Sequence, residues 1–418
     1  MNAKRLLMIA YYYPPLGGAG VQRTVKFAKY LPGFGWNPVI FTARSGQSAS
    51  ADSELSEEVP IKIPVYRSSA LVLPIRLPFR VRNWLSRWIL ILDEQLGWYP
   101  FAVSAASKIL QKEPISALYS TSSPYTCHLI GLTLKRRTHL PWIADFRDPW
   151  VGGLTDRFPT SFHRSLANSL EAQVFQNADR ILLTSEATAH FYRYKYPALQ
   201  PEKLVTITNG FDLEDFSHVS TNRVDTGQFT IVYSGSLYIH SRSAVSFVQA
   251  LALLIKNESI ERYRLAVYFV GNTDKGTRRC AREELMEDVI HFLGYLPHRE
   301  SIGYLQKADL LLLIPSVGPG SEFSIPAKVF EYLAAGKPIL TLAQNEEISG
   351  LIHKTNAGVL VSYSDVEAIA GQILAAYQRW ERGESVPRPE PTMIARYERK
   401  TLTGLLANEL DSITMDQT

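Results

Sequence analysis

Cysteine is almost absent: Cys127 and Cys280 are the only two in 418 residues. Two thiols cannot build a disulfide framework or a multi-cysteine metal site, and the pattern reads as two reduced or buried thiols of a cytosolic protein. Long apolar runs are also missing. Lys4–Ala10 is too short for a signal-peptide core and runs straight into Tyr11-Tyr12-Tyr13-Pro14-Pro15. The longest stretch without Asp, Glu, Lys or Arg, Pro114–Leu134, carries Ser116, Ser120, Thr121, Ser122, Ser123, Pro124 and His128, so it fails as a bilayer span. The chain is therefore expected to be cytoplasmic, soluble or peripheral on a membrane face. Neither an Asp-x-Asp pair nor a His/Cys cluster occurs, so no metal site is readable. Charge of one sign is not in excess: 44 basic against 40 acidic residues leave a formal +4, which gives no reason to expect a nucleic-acid partner.

What is present is globular. Apolar residues make up 46% of the chain, aromatics 11% and charged residues 20%, which excludes a disordered chain or a fibre. At roughly 100–200 residues per domain, two domains are the simplest division. Short apolar runs alternate with helical patterns: Arg5–Tyr11, Val39–Thr42, Ala117–Ser120, Trp142–Asp145, Arg180–Thr184 and Val205–Thr208 read as strands. After a polar stretch, Asn209–Gln228, the rhythm restarts with Phe229–Ser234, Leu265–Val270, Ile290–Gly294, Asp309–Ile314, Pro338–Leu342 and Gly358–Val361. Helical patterns cover Ser243–Lys256, Thr277–Met286, Glu300–Lys307, Ala327–Ala335 and Ser364–Arg382. This is the βαβ alternation of parallel sheets covered on both faces. The expected division is residues 1–210, a linker 211–228, and a second α/β domain 229–385. Three prolines in Ser385–Pro391 end that domain. A terminal helix over 391–415 either extends the second domain or packs back on the first.

Three clusters carry possible chemistry. The first βα turn, Tyr13-Pro14-Pro15-Leu16-Gly17-Gly18-Ala19-Gly20, lets backbone N–H groups approach an anion at a helix start, or is simply a tight turn. It is not a dinucleotide fingerprint: Arg23 stands where a third glycine belongs, and the second strand ends at Thr42 rather than at an acidic residue. Nor does Gly-Lys-Ser/Thr follow, which excludes a P-loop. In the second cluster, Asp145, Arg147 and Asp148 stand at the carboxyl end of a predicted strand, the edge where open α/β sheets bind ligands. A carboxylate there can act as a base and an arginine can bind phosphate; a local Asp–Arg pair that orders the loop is the alternative. In the third, Ser321–Pro338, Lys328 and Glu331 share one face of a helix that starts near Ile325-Pro326. They suit a phosphate and a pair of sugar hydroxyls, or an exposed ion pair.

Four segments together resemble glycosyltransferase family 4: Tyr13–Val21, Ala144–Trp150, Phe292–Pro297 and Pro326–Pro338. They span nearly the whole chain in the family's order. The resemblance implies the GT-B architecture, α/β with two facing Rossmann-like domains, mostly parallel sheets and an interdomain cleft. It implies a retaining transfer of a sugar from a UDP- or GDP-sugar to a glycan or polyprenyl-linked acceptor, in bacterial surface-polysaccharide synthesis. The nucleotide-sugar is then a substrate, and no cofactor or metal is implied. Glu331 matches the ribose-binding glutamate, and Gly17 and Gly18 match the loop over the pyrophosphate. Gly294, Tyr295 and Leu296 match the base loop; Arg242 matches a pyrophosphate-binding lysine by its spacing from Ser236, and Lys328 a basic residue near the phosphates. Asp148 is the candidate polar group near the attacking hydroxyl, with Arg147 beside it. The sequence departs from the family in two places. Phe323 occupies the first position of the paired-glutamate motif, with Glu322 one place off and Ser324 following, and Ser236 replaces a common arginine.

Leu71–Phe101 holds Arg76, Arg80, Arg82, Arg87 and the tryptophans Trp84, Trp88 and Trp98. Its spacing suits a basic amphipathic helix over 76–98, lying in a membrane interface or packed on the first domain. Two rival functions stay open: a nucleotide-sugar epimerase or hydrolase on the same fold, and a non-catalytic nucleotide-sugar-binding subunit.

Overall fold

A computed structural model describes residues 4–17, 19–44, 60, 62–71, 88, 93–153, 158–217, 227–237, 243–385 and 388–415. The chain divides into two compact units, residues 1–208 with 399–418, and residues 209–398.

The first unit is built on a seven-stranded sheet in the order β3-β2-β1-β4-β5-β6-β7. Its strands are β1 (Lys4–Ile9), β2 (Trp36–Ala43), β3 (Val65–Ser68), β4 (Ala117–Thr121), β5 (Trp142–Phe146), β6 (Arg180–Leu183) and β7 (Leu204–Thr206). Each described pairing is parallel. Successive β1 residues enter different cores: Leu7 and Ile9 join one face with Phe41, Leu118 and Ala144, and Leu6 and Met8 join the other with Ile40 and Tyr119. Burial on both faces is what makes these strands read as continuous apolar runs. Helix ends are signalled locally too. Thr160 and Ser185 accept the N–H of the third residue beyond them, as N-caps do.

The second unit repeats the plan with six strands in the order β10-β9-β8-β11-β12-β13: β8 (Phe229–Ser234), β9 (Leu265–Val270), β10 (Ile290–Gly294), β11 (Leu310–Leu313), β12 (Ile339–Leu342) and β13 (Gly358–Val361). These pairings are parallel as well. Asp274, Asn345 and Asp365 cap the helices that follow them. In both sheets the strand order reverses beside the first strand, between β1 and β4 and between β8 and β11. At such a reversal the two flanking loops diverge and open a crevice at the strands' carboxyl ends.

Several boundaries differ from the expectation. The segment 211–228 is not wholly a linker: Phe211 is buried in the second unit's core, and Leu213–Ser217 is a short helix. The stretch expected as one terminal helix is two, Pro391–Ala395 and Arg399–Met415. The longer one packs in the first unit, against the helix Ala19–Tyr30, with Leu402, Leu406, Leu410 and Ile413 buried in the core that holds Leu6 and Met8. Its polar edge pairs Asp411 with Lys4 at 2.8 Å and Glu409 with Arg180 at 2.9 Å. Half-exposed pairs contribute about 0–1 kcal/mol each, whereas burying an aliphatic side chain contributes about 1.5–3 kcal/mol. Packing therefore contributes more than the ion pairs to holding this helix in place.

Candidate functional site

In the first unit the glycine loop and the Asp145–Asp148 cluster come together where β1 lies beside β4. Arg147 donates from Nη1 to the carbonyl of Gly20 at 3.0 Å, and its backbone N–H reaches Ser122 Oγ at 3.3 Å. A Cβ on Gly20 would stand 3.1 Å from that guanidinium nitrogen, so this glycine makes room for Arg147. Gly17 is half-buried at the end of the loop, and Gly18 lies outside the described residues.

Asp145 does not pair with Arg147. Its carboxylate is fully buried and accepts from Arg23 Nε at 3.0 Å and Nη2 at 2.8 Å, from Tyr119 Oη at 2.6 Å and from Thr121 Oγ1 at 2.8 Å. Arg23 donates further to the carbonyls of Ile207 and Thr208. Burial by itself would raise the Asp145 pKa, but Arg23 and the hydroxyls hold it below the usual carboxylate range. The residue that breaks the dinucleotide fingerprint is thus a buried tie between the helix Ala19–Tyr30, the end of β5 and the chain leaving β7.

Asp148 is half-buried, and burial pushes its carboxyl above the ordinary range while Arg147 opposes that shift. The loop that carries it is held by groups the sequence reading missed. Tyr125 Oη donates to the Pro149 carbonyl at 2.9 Å, and its ring stacks on Trp150 with centroids 4.8 Å apart. The Trp150 N–H donates to Tyr192 Oη at 3.1 Å and the Val151 N–H to Glu171 Oε2 at 3.1 Å. Glu171 is buried and also accepts from Tyr192, Tyr196 and Lys195.

In the second unit Lys328 and Glu331 lie in the first turn of the helix Lys328–Ala335, which Gly336 ends at φ +66°. Lys328 Nζ donates to Tyr233 Oη at 3.1 Å and sits 4.4 Å from the centre of that ring. Glu331 meets a residue of another helix. Its Oε1 lies 3.1 Å from Nε2 of His298, the first residue of the helix His298–Lys307. Two further glycines close the strand ends. Gly235 follows β8 at φ +132°, and a Cβ there would collide with Lys328 Nζ. Gly271 follows β9 at φ +119°, donates to the Gly294 carbonyl at 2.6 Å, and has the Gly235 backbone where its Cβ would be. Both positions need glycine for backbone conformation and for space. Gly294 is thereby tied to Gly271, whose backbone packs against Gly235. Ser236 is half-buried just beyond Gly235; Tyr295 is exposed and Leu296 packs on the core. Glu322 is exposed on the turn Ser321–Phe323, and Phe323 and Ser324 are half-buried. Arg242 lies outside the described residues. No group of three or more His, Cys, Asp or Glu suited to a metal occurs among the described residues.

Most of the basic amphipathic segment is likewise outside the described residues, but its two described tryptophans differ. Trp98 is not available to a membrane: it is fully buried, stacks on Phe41 and donates from Nε1 to Ser68 at 2.8 Å. Trp88 is 45% exposed and meets His163 edge-on. Among the described residues no helix is long and apolar enough to cross a membrane.

Two consecutive parallel-sheet units with their binding-edge glycines define a GT-B-type protein. Residues 17–210 match the family model described as a glycosyl transferase 4-like domain, and residues 228–379 match glycosyl transferases group 1. The chain belongs to the glycosyltransferases of the GT-B fold. It is 25% identical over 276 residues to a putative colanic acid biosynthesis glycosyltransferase, WcaL, of Salmonella typhimurium, covering 63% of this chain and 66% of that one. The match thus spans a little under two thirds of that relative. Among solved structures, sucrose-phosphate synthase from Thermosynechococcus elongatus superposes with a TM-score of 0.62 at 16% identity, covering 99% of this chain and 97% of that one. Anabaena HepE in complex with UDP-glucose superposes with a TM-score of 0.59 at 15% identity, covering 99% and 97%. At such identities these two structures speak for the fold.

Proposed function

We propose that this protein is a glycosyltransferase of polysaccharide biosynthesis that takes its sugar from a UDP- or GDP-sugar held by the second unit. The observation that carries the reading is the placement of Lys328 and Glu331. An ammonium and a carboxylate stand on one helical turn, beside strand ends pared down by Gly235 and Gly271. A nucleoside diphosphate leaves with negative charge developing on its phosphates. An ammonium and a helix N-terminus aimed there lower the barrier electrostatically. A carboxylate next to them suits the two hydroxyls of a ribose. The matched relative's name refers to colanic acid, a polysaccharide, and HepE is described with UDP-glucose; both support this donor and a glycan acceptor.

The family 4 resemblance adds retention of anomeric configuration and a hexosyl donor to the proposal. In the first unit, Asp148 is the group proposed to meet the acceptor hydroxyl. Its carboxyl, raised by burial, is a better proton acceptor than an exposed aspartate. Arg147 beside it supplies a positive charge. A polyprenyl-linked acceptor would bring the protein to a membrane face, with Trp88 the described aromatic of segment 76–98 placed to touch it.

Thermal-shift measurement against UDP, GDP, ADP and dTDP tests the donor site, because a ligand of the folded state raises its melting temperature. One nucleoside diphosphate is expected to stabilise the protein, and Glu331→Ala to abolish the shift. No shift with any of the four would overturn the reading.

A further inference from the structure

Resting on this donor-site reading, we infer that His298 is a positioning residue that fixes Glu331 for a ribose, and thereby sets a preference for ribonucleotides over deoxyribonucleotides. Glu331 has a long, rotatable side chain. His298 Nε2 holds its Oε1 at 3.1 Å, and the two side chains are only 18% and 17% exposed. At that burial the contact is largely shielded from water. An ionised carboxylate only accepts, so Nε2 carries the proton in this pair.

The imidazole stands on a rigid frame. His298 opens a ten-residue helix directly after Pro297. Four residues earlier, the Gly294 carbonyl is held by the Gly271 N–H. One oxygen pinned by a ring N–H fixes the plane of the carboxylate. Its remaining lone pairs then point in set directions, which is what bonding two vicinal hydroxyls at once demands. Removing the ligand's 2′-hydroxyl would leave one of those directions unfilled in a part-buried site, and sites of this kind reject the analogue that lacks the group. Without His298 more of that ordering falls to the ligand, and affinity and discrimination fall together.

The experiment measures the affinity of wild type, His298→Ala, His298→Gln and Glu331→Ala by calorimetry. The ligands are whichever of UDP and GDP stabilises the wild type, and its 2′-deoxy form. Unliganded melting curves establish that each variant is folded. His298→Ala is expected to raise Kd for the ribonucleotide about tenfold, equivalent to about 1.4 kcal/mol, and to bring the ribo/deoxy ratio towards one. His298→Gln, whose amide N–H reaches the same place, is expected to restore both. Unchanged affinity in His298→Ala alongside loss in Glu331→Ala would overturn the inference and leave the donor-site reading standing. Equal weakening of both ligands with the ratio preserved would also overturn it. Unchanged affinity in Glu331→Ala would instead overturn the donor-site reading beneath it.

Discussion

Replacing Asp145 by alanine is expected to be among the most destabilising single changes in the first unit. Asp145 is fully buried and Arg23 is 1% exposed. The change strands the guanidinium without its counter-charge and takes the acceptor from Tyr119 and Thr121. Removing one partner of a buried pair costs about 3–5 kcal/mol. In a domain of this size each kcal/mol lowers the melting temperature by about 2–4 °C, so the expected fall is on the order of 6–20 °C. Six of the seven tryptophans precede residue 209, so intrinsic fluorescence reports chiefly on this unit. Pairing the change with Arg23→Met removes the stranded charge, and the double variant is expected to lose less than the two single losses combined. The pH dependence has a definite sign. The folded-state pKa is depressed, so the pair's contribution is complete above the ordinary carboxylate value of about 4. It is lost as pH falls through the folded-state value. A loss below about 1 kcal/mol, the range of exposed pairs, would refute the argument that this pair is sealed from water.

Three other substitutions have definite expected outcomes. Gly235→Ala places a methyl group against Lys328 Nζ at a backbone φ of +132°, and should weaken nucleoside diphosphate binding with little change in the melting of the first unit; an unchanged Kd would show that Lys328 does not face the ligand. Trp98→Ala should cost about 3–5 kcal/mol as a core truncation, while the exposed Trp88→Ala stays within about 0.5 kcal/mol. Trp88→Ala should nevertheless reduce flotation with anionic liposomes, and full flotation of that variant would sink the membrane-contact proposal.

Much of the fold was legible because its strands are short, largely apolar runs set between polar stretches. Leu265–Val270, Ile290–Gly294 and Gly358–Val361 have the bounds their apolar runs suggest, and Phe229–Ser234 does as well. Val65–Ser68 escaped notice because it is a short edge strand with half-exposed Val65 and Tyr66 and exposed Arg67, so it has no continuous apolar run. The helix Glu346–Lys354 escaped too, although Asn345 caps it and its first turn is acidic. Those local signals were sufficient to find it.

The composition of the site was readable, and its pairings were not. Local sequence determined which segments are strands, where helices begin, and that Gly17, Arg147, Asp148, Lys328 and Glu331 stand at strand ends or helix starts, because each of these properties depends on neighbours within a few residues. Tertiary structure decided who meets whom. Asp145 meets Arg23, 122 positions away, rather than Arg147 two places on. Glu331 meets His298 across 33 positions, and Gly235 and Gly271 matter because two strand ends and a lysine converge on them. The terminal helix, whose apolar stripe fitted either unit, buries that stripe on the first. Sheet order brings these groups together. Parallel strands are joined by crossovers tens of residues long, so a contact across the sheet leaves no trace in the spacing of the residues that make it.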